Sequence, residues 1–284
     1  MKKVLLNPNP SRDINLECTK KVVDFFKKNG IDTYIARNVE GAEKSGAIMC
    51  EFEDAANGAD LIISFGGDGT LLHTASQVSH LDVPVLGINI GRIGYMAELE
   101  ANEIEYLQKV IDGDYRTEER MMLDVEIVRD GITVNKTSAL NDAVVMKTGL
   151  IWTVDMDIYA DDMFISRYSG DGVIIATPTG STAYSLSAGG PVVDPAVDCI
   201  LLTPVCPHAL DSRSRLLPAY TELTLRATTA DGETAYLTVD GEENIPLSPE
   251  DYVTISRADT TARLIRLTAA TVHDGLRRKL SDRR

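Results

Sequence analysis

The first hundred residues alternate short apolar runs with stretches of helical spacing. Val4-Leu5-Leu6, Thr33 to Ala36, Leu61 to Phe65 and Val83 to Ile88 read as buried strands. Leu16 to Lys28 reads as a helix that turns Leu16, Val22, Val23 and Phe26 inward, and Leu71, Leu72, Ala75 and Val78 again recur at helical intervals. Such βα alternation predicts a largely parallel sheet covered by helices. After about residue 120 the period falls to two. Leu123, Val125 and Ile127 alternate with Asp124 and Glu126, Asp130-Gly131 turns the chain, and Ile132 and Val134 follow, which is a hairpin signature. Val154, Met156 and Ile158 alternate with Asp155 and Asp157, and stretches around Leu223, Leu237, Val253 and Leu264 behave likewise. The expected fold is an α/β N-terminal domain with a largely parallel sheet, followed by a β-rich C-terminal domain.

Two segments stand out from this pattern. The strand at Leu61 to Phe65 runs straight into Gly66-Gly67-Asp68-Gly69-Thr70 and then into the helical spacing. Glycines let backbone N–H groups approach an anion, and a following helix directs its partial positive end at the same place. The turn reads as a phosphate cradle holding one carboxylate, or as an ordinary tight turn. In open sheets ligands collect at the carboxyl ends of strands, where this turn falls. The second segment, Asp171 to Pro195, carries an apolar run from Val173 to Ala176 into Thr177, Thr179, Ser181, Thr182, Tyr184, Ser185 and Ser187. Its hydroxyls suit a sugar or nucleobase, or else they cap a strand-to-helix connection.

Composition narrows the partners. The 284 residues are 44% hydrophobic and 25% charged, near the averages for a soluble globular protein and without the signature of disorder. A net charge of −15 argues against nucleic acid and against anionic membrane. Any nucleotide site must therefore rely on local backbone dipoles and a bound cation. Cys18, Cys50, Cys199 and Cys206 have neither disulfide-framework nor zinc spacing. No run approaches the ~18 apolar residues of a membrane span and no signal peptide is legible, so a cytoplasmic protein is expected. The basic tail from Leu276 to Arg284 reads as a solvated helix end. Neither a Walker A nor a Gly-x-Gly-x-x-Gly fingerprint occurs.

With Gly87-Ile88-Asn89-Ile90-Gly91-Arg92-Ile93-Gly94-Tyr95, Ala139-Leu140-Asn141-Asp142-Ala143, Pro207-His208-Ala209-Leu210 and Val239-Asp240-Gly241, these segments resemble the NAD kinase family over nearly the whole chain. Diacylglycerol kinases, sphingosine kinases and phosphofructokinases resemble the glycine block alone. The resemblance implies phosphorylation of the 2′-hydroxyl of the adenosine ribose of NAD, by ATP or another phosphoryl donor, to give NADP. It implies an α/β domain over residues 1–118, a β-sandwich-like nucleotide-binding domain over 119–265, and a C-terminal segment, 266–284, packing back on the first, with the active site between the domains. It also implies magnesium or another divalent metal, with no dedicated ligand set visible in the chain, and a homodimer or homotetramer.

Carried over residue by residue, Asp68 is the candidate base, with magnesium binding or orientation of the hydroxyl as its other roles, and Gly66, Gly67, Gly69 and Thr70 face phosphates, Thr70 through its hydroxyl or as a helix cap. Gly69 and Tyr95 would also contact the dinucleotide. Asn141 and Asp142 would hold ribose hydroxyls, Asp142 standing where the family usually has Glu. Asp171 would bond an amide or amine, with Gly172 allowing close approach. Thr182, Ala183, Tyr184 and Ser187 would surround adenine, and His208 would lie near the site. Phosphoryl transfer needs the hydroxyl oriented, its proton accepted and the phosphate charge neutralised, and these residue types supply those functions. A lipid kinase and a non-catalytic dinucleotide sensor are the other readings. The first would want an amphipathic basic segment, and the second could dispense with Asp68.

Overall fold

The computed structural model describes residues 1–91, 94, 96–148, 152–208, 212–229, 234–242 and 244–268. Tyr95, the Ala209-Leu210 pair and the basic tail lie outside the described residues. The chain divides into two compact units, residues 1–119 with 261–284, and residues 120–260.

The first unit contains β1 (Lys3–Pro8), α1 (Glu17–Lys28), β2 (Asp32–Ala36), β3 (Ile48–Cys50), α2 (Phe52–Ala56), β4 (Leu61–Gly66), α3 (Asp68–Val78), β5 (Val85–Asn89), β6 (Leu99–Glu100) and α4 (Leu107–Asp112). The long strand β7 (Arg116–Arg129) leads into the second unit. That unit continues with β8 (Ile132–Ala139), β9 (Asp142–Lys147), β10 (Val154–Ala160), β11 (Met163–Gly170), β12 (Gly172–Ala176), α5 (Tyr184–Ser187), β13 (Cys199–Val205), β14 (Arg215–Pro218), β15 (Leu223–Thr228), β16 (Ala235–Val239), β17 (Ile245–Leu247) and β18 (Tyr252–Arg266), whose last residues return to the first unit.

In the first unit the strands run β5-β4-β1-β2-β3, all parallel, and Leu264 of β18 pairs in parallel with Val85 beside β5. α1 buries Val22, Val23 and Phe26 against Val4, Leu6, Ile63 and Phe65, as its spacing predicts. Burying a side chain such as Phe26 contributes roughly 1.5–3 kcal/mol. The chain leaves β1 toward β2 on one side, while β4 lies on the other. The carboxyl ends of β1 and β4 thus flank the switch in strand order where ligands of such sheets bind.

The second unit is built of antiparallel strands. One sheet has the order β14-β13-β12-β9-β16-β17, and β11-β10-β15 continues onto the first part of β18. Val145, Val173, Ile175, Leu202 and Leu237 of the six-stranded sheet share one core with Met156, Ile158, Leu223, Leu225, Val253 and Ile255. The expected hairpin is present. β7 and β8 turn at Asp130 and Gly131, both at positive φ (52° and 77°), the conformation that a tight two-residue connection requires.

Candidate active site

In the first unit the turn between β4 and α3 is fixed by contact. A Cβ on Gly66 would stand 2.3 Å from the Thr70 Oγ1, so only glycine fits there. Gly67 is the residue that caps α3, and no side chain caps the helix. The sequence leaves Thr70 as a hydroxyl or a cap, and the structure decides against the cap. Its Oγ1 instead accepts from Asn9 Nδ2 at 3.3 Å, while Asn7 Nδ2 donates to Thr74 Oγ1 at 2.9 Å. Both asparagines come from the carboxyl end of β1, so the two strands flanking the switch point jointly set the first turn of α3.

Asp68 opens α3 at the positive end of its dipole. Its Oδ1 accepts the Met96 N–H at 3.0 Å. Gly94 lies against the same carboxylate, since a Cβ there would come within 2.1 Å of Oδ1. Behind this contact the nearly buried Arg266 donates through Nη1 to the Met96 carbonyl at 2.7 Å and through Nε to Glu118 at 2.7 Å. Glu98 accepts from the backbone N–H groups of Leu267 and Thr268 at 2.8 and 2.9 Å. Met96, whose N–H touches Asp68, is therefore anchored through its carbonyl by a residue 170 positions later.

In the second unit β9 and β12 pair with Asp142 opposite Ala176 and Met146 opposite Gly172. Asn141 and Asp142 thus sit at one end of this pairing and Asp171, level with Lys147, at the other, five strand residues or roughly 17 Å from Asp142. Tyr184 belongs to the same surface. It is exposed, its hydroxyl donates to Met146 Sδ at 3.5 Å, and it feels the charges of Asp171 and Asp142. Asp171 is paired with Lys147 at 2.8 Å, and that hydrogen bond holds its carboxyl below the usual carboxylate range. His208 donates its backbone N–H to the Ser169 carbonyl at 2.8 Å and exposes its side chain.

Asp142 is only 6% exposed, and burial, then the neighbouring Asp240, push its carboxyl up to about 7. A carboxyl of this kind titrates at working pH, a property that the sequence does not display. The hydroxyl-rich turn divides into two sets. Thr177, Thr179, Ser181 and Ser185 are buried and bond to the protein itself: Thr177 Oγ1 donates to the Leu140 carbonyl at 2.6 Å, Ser181 Oγ to the Val193 carbonyl at 3.1 Å, and Ser185 Oγ lies 3.0 Å from Thr203 Oγ1. Thr182, Ala183, Tyr184 and Ser187 remain at least partly open to solvent. Gly172 has a packing role that its sequence does not announce. A Cβ there would stand 2.3 Å from the Val145 carbonyl oxygen, so this glycine serves close strand packing.

Sequence reasoning quotes Asp240 within a motif but gives it no role, and it assigns none to Lys147, Gly180 or Arg266. The Asp240 carboxylate accepts from the backbone N–H groups of Leu140, Asn141 and Asp142 at 2.7, 2.8 and 3.0 Å. A Cβ on Gly180 would stand 2.1 Å from the Asn141 carbonyl oxygen. The one legible signal is an aspartate before glycine at the end of a strand, at Asp240-Gly241.

Comparison with known proteins gives one consistent answer. The ATP-NAD kinase N-terminal domain matches residues 4–115 and the ATP-NAD kinase C-terminal domain residues 140–267. An NAD kinase of Symbiobacterium thermophilum is 47% identical over 223 residues, 78% of each chain. An NAD kinase of Caldanaerobacter subterraneus subsp. tengcongensis is 36% identical over 287 residues, covering 100% of both chains. Among solved structures, yeast NADH kinase complexed with NADH superposes with a TM-score of 0.86 at 26% identity, over 99% of this chain and 88% of that one.

Proposed function

This chain belongs to the NAD kinase family, and from that premise we propose how its residues carry out the reaction. The enzyme phosphorylates NAD to NADP at the 2′-hydroxyl of the adenosine ribose. ATP is the donor in our reading. The ribose oxygen attacks the terminal phosphorus, the bond to the ADP oxygen breaks, and the hydroxyl proton passes to Asp68. The observation that carries this assignment is the Asp68 carboxylate itself, placed at the start of α3 and held there by the Met96 N–H at 3.0 Å. A base contributes only when close and well aimed, and a carboxylate pinned by a backbone donor meets the second condition.

Gly66, Gly67 and Gly69 are assigned to the donor phosphates, through backbone N–H groups and the helix dipole. Asn141 and Asp142 are assigned to the ribose hydroxyls, with Thr182, Ala183, Tyr184 and Ser187 around the adenine. Asp171 and His208 complete the dinucleotide contacts. Among the described residues no three His, Cys, Asp or Glu side chains converge as a metal cage. Magnesium is assigned to the phosphates of ATP, where it would neutralise the charge of the transferring group. Four unpaired cysteines suit a cytoplasmic enzyme. Met163 and Phe164, 69% and 56% exposed on β11, suit a homodimer or homotetramer in which a second copy covers them.

The test is NADP formation by the purified protein with NAD, ATP and magnesium, beside Asp68→Asn. Turnover in the parent and a loss of about a hundredfold or more in the folded variant are expected. A parent that makes no NADP sinks the reading.

A further inference from the structure

All six backbone polar groups of Leu140, Asn141 and Asp142 are bonded by just two residues. The three N–H groups donate to the Asp240 carboxylate, the Leu140 carbonyl accepts from Thr177 Oγ1 at 2.6 Å, the Asn141 carbonyl from the Thr177 N–H at 2.9 Å, and the Asp142 carbonyl from the Asp240 N–H at 2.9 Å. Asp240 is about a hundred residues away in sequence and sits at the end of β16 with φ of 50°, a left-handed conformation that aspartate and asparagine tolerate better than most side chains.

We infer that Asp240 is a positioning residue of the kinase, fixing the turn that presents Asn141 and Asp142 to the substrate ribose. The inference rests on the assignment of those two residues to the ribose hydroxyls. A carboxylate bridging three consecutive amides sets their mutual angles, and so sets the directions in which the two adjoining side chains leave the backbone. Ribose hydroxyls must meet such a pair within a few tenths of an ångström for the 2′-oxygen to lie in line with the donor. Burial pushes the Asp240 carboxyl above the usual carboxylate range, and the three amide hydrogen bonds offset part of that rise. Packing alone would be served as well by an apolar side chain.

The test compares the full-length parent with Asp240→Asn and Asp240→Glu. Asparagine accepts the same φ but turns an NH2 group toward the amide donors, whereas glutamate keeps the charge on a longer arm. For Asp240→Asn we expect the KM for NAD to rise about tenfold or more and kcat to fall, with the KM for ATP within twofold of the parent. Hydrogen exchange at the amides of 140–142 should accelerate in the same variant. Asp240→Glu should be intermediate, and it decides the matter if Asp240→Asn does not fold. An active parent whose folded variants keep the parental KM for NAD overturns this inference alone. A rise in both KM values together overturns it as well, because that is the signature of general loosening. A parent without NADP formation overturns the kinase reading and this inference with it.

Discussion

Gly94 lies so close to Asp68 that a Cβ at position 94 would stand 2.1 Å from one carboxylate oxygen and 3.0 Å from the other. The absence of a side chain at one residue thus sets the direction of the carboxylate at another, 26 positions earlier in the chain. Gly94→Ala must turn Asp68 away from the Met96 N–H. We expect kcat for NADP formation to fall at least tenfold while the KM for NAD changes little. A parental kcat in the folded variant would show that the aim of Asp68 is immaterial.

Asp142 sets a pH dependence of defined sign. Its folded-state value of about 7 exceeds the reference of 3.8, so the folded protein holds this proton while the unfolded chain releases it. The stability associated with the neutral carboxyl is present in full below about pH 4 and is lost as pH rises to about 7, a change on the order of a few kcal/mol. Asp142→Asn should therefore raise the melting temperature at pH 8 and do so much less at pH 5. An equal effect at both values would refute the shift. The same titration predicts that the KM for NAD in the parent falls as pH rises through 7, because the ionised carboxylate is the better acceptor for a ribose hydroxyl.

Arg266 is 8% exposed and joins Glu118, Glu98 and the Met96 carbonyl. Arg266→Met removes the guanidinium that pairs with Glu118 and donates to the Met96 carbonyl, and breaking a buried pair in this way costs about 3–5 kcal/mol. A drop in melting temperature of roughly 10 °C is expected. Arg266→Lys should recover little of it, because a single ammonium lacks the fork that serves Glu118 and Met96 at once. Thermal unfolding at matched salt measures both.

Tyr184 separates a ring from a hydroxyl. The side chain is 39% exposed, and its hydroxyl bonds to a thioether, a weak acceptor. Tyr184→Phe should keep the KM for NAD within about twofold, whereas Tyr184→Ala should raise it about tenfold through loss of a stacking face worth roughly 1–1.5 kcal/mol. If phenylalanine fails as badly as alanine, the hydroxyl and not the ring is what binds.

Local patterning made much of the architecture legible. The helix expected at Leu16 to Lys28 is α1 at Glu17–Lys28, the strand at Leu61 to Phe65 is β4, and Asp130-Gly131 is a tight turn. These elements follow from side-chain period and turn chemistry, which act over a few residues. β3 at Ile48–Cys50 escapes the same reasoning because it is three residues long and partly exposed, with no alternation to read. At the candidate site the glycine turn and the Asn141-Asp142 pair are visible as motifs. The supports behind them are not, because Asp240 reaches Asn141 across 99 residues and Arg266 reaches Met96 across 170. The period of a sequence carries no information about such distant pairings. The burial of Asp142 is hidden for the same reason, since it depends on what β12 and β16 bring beside β9.

The order in which the ribosome delivers these pieces has its own consequence. Residues 120–260 form one uninterrupted compact unit, but the other joins residues 1–119 to residues from 261 onward. Leu264 joins the sheet next to β5, and Arg266 to Thr268 tie down the segment around Glu98. The unit made first is thus finished after the second: its sheet waits, one strand short, until Leu264 has emerged. Polypeptides cut off before residue 261 would carry every residue assigned here to phosphate and ribose and still lack the strand that steadies Asp68. Translation must pass residue 268 before the nucleotide chemistry can begin.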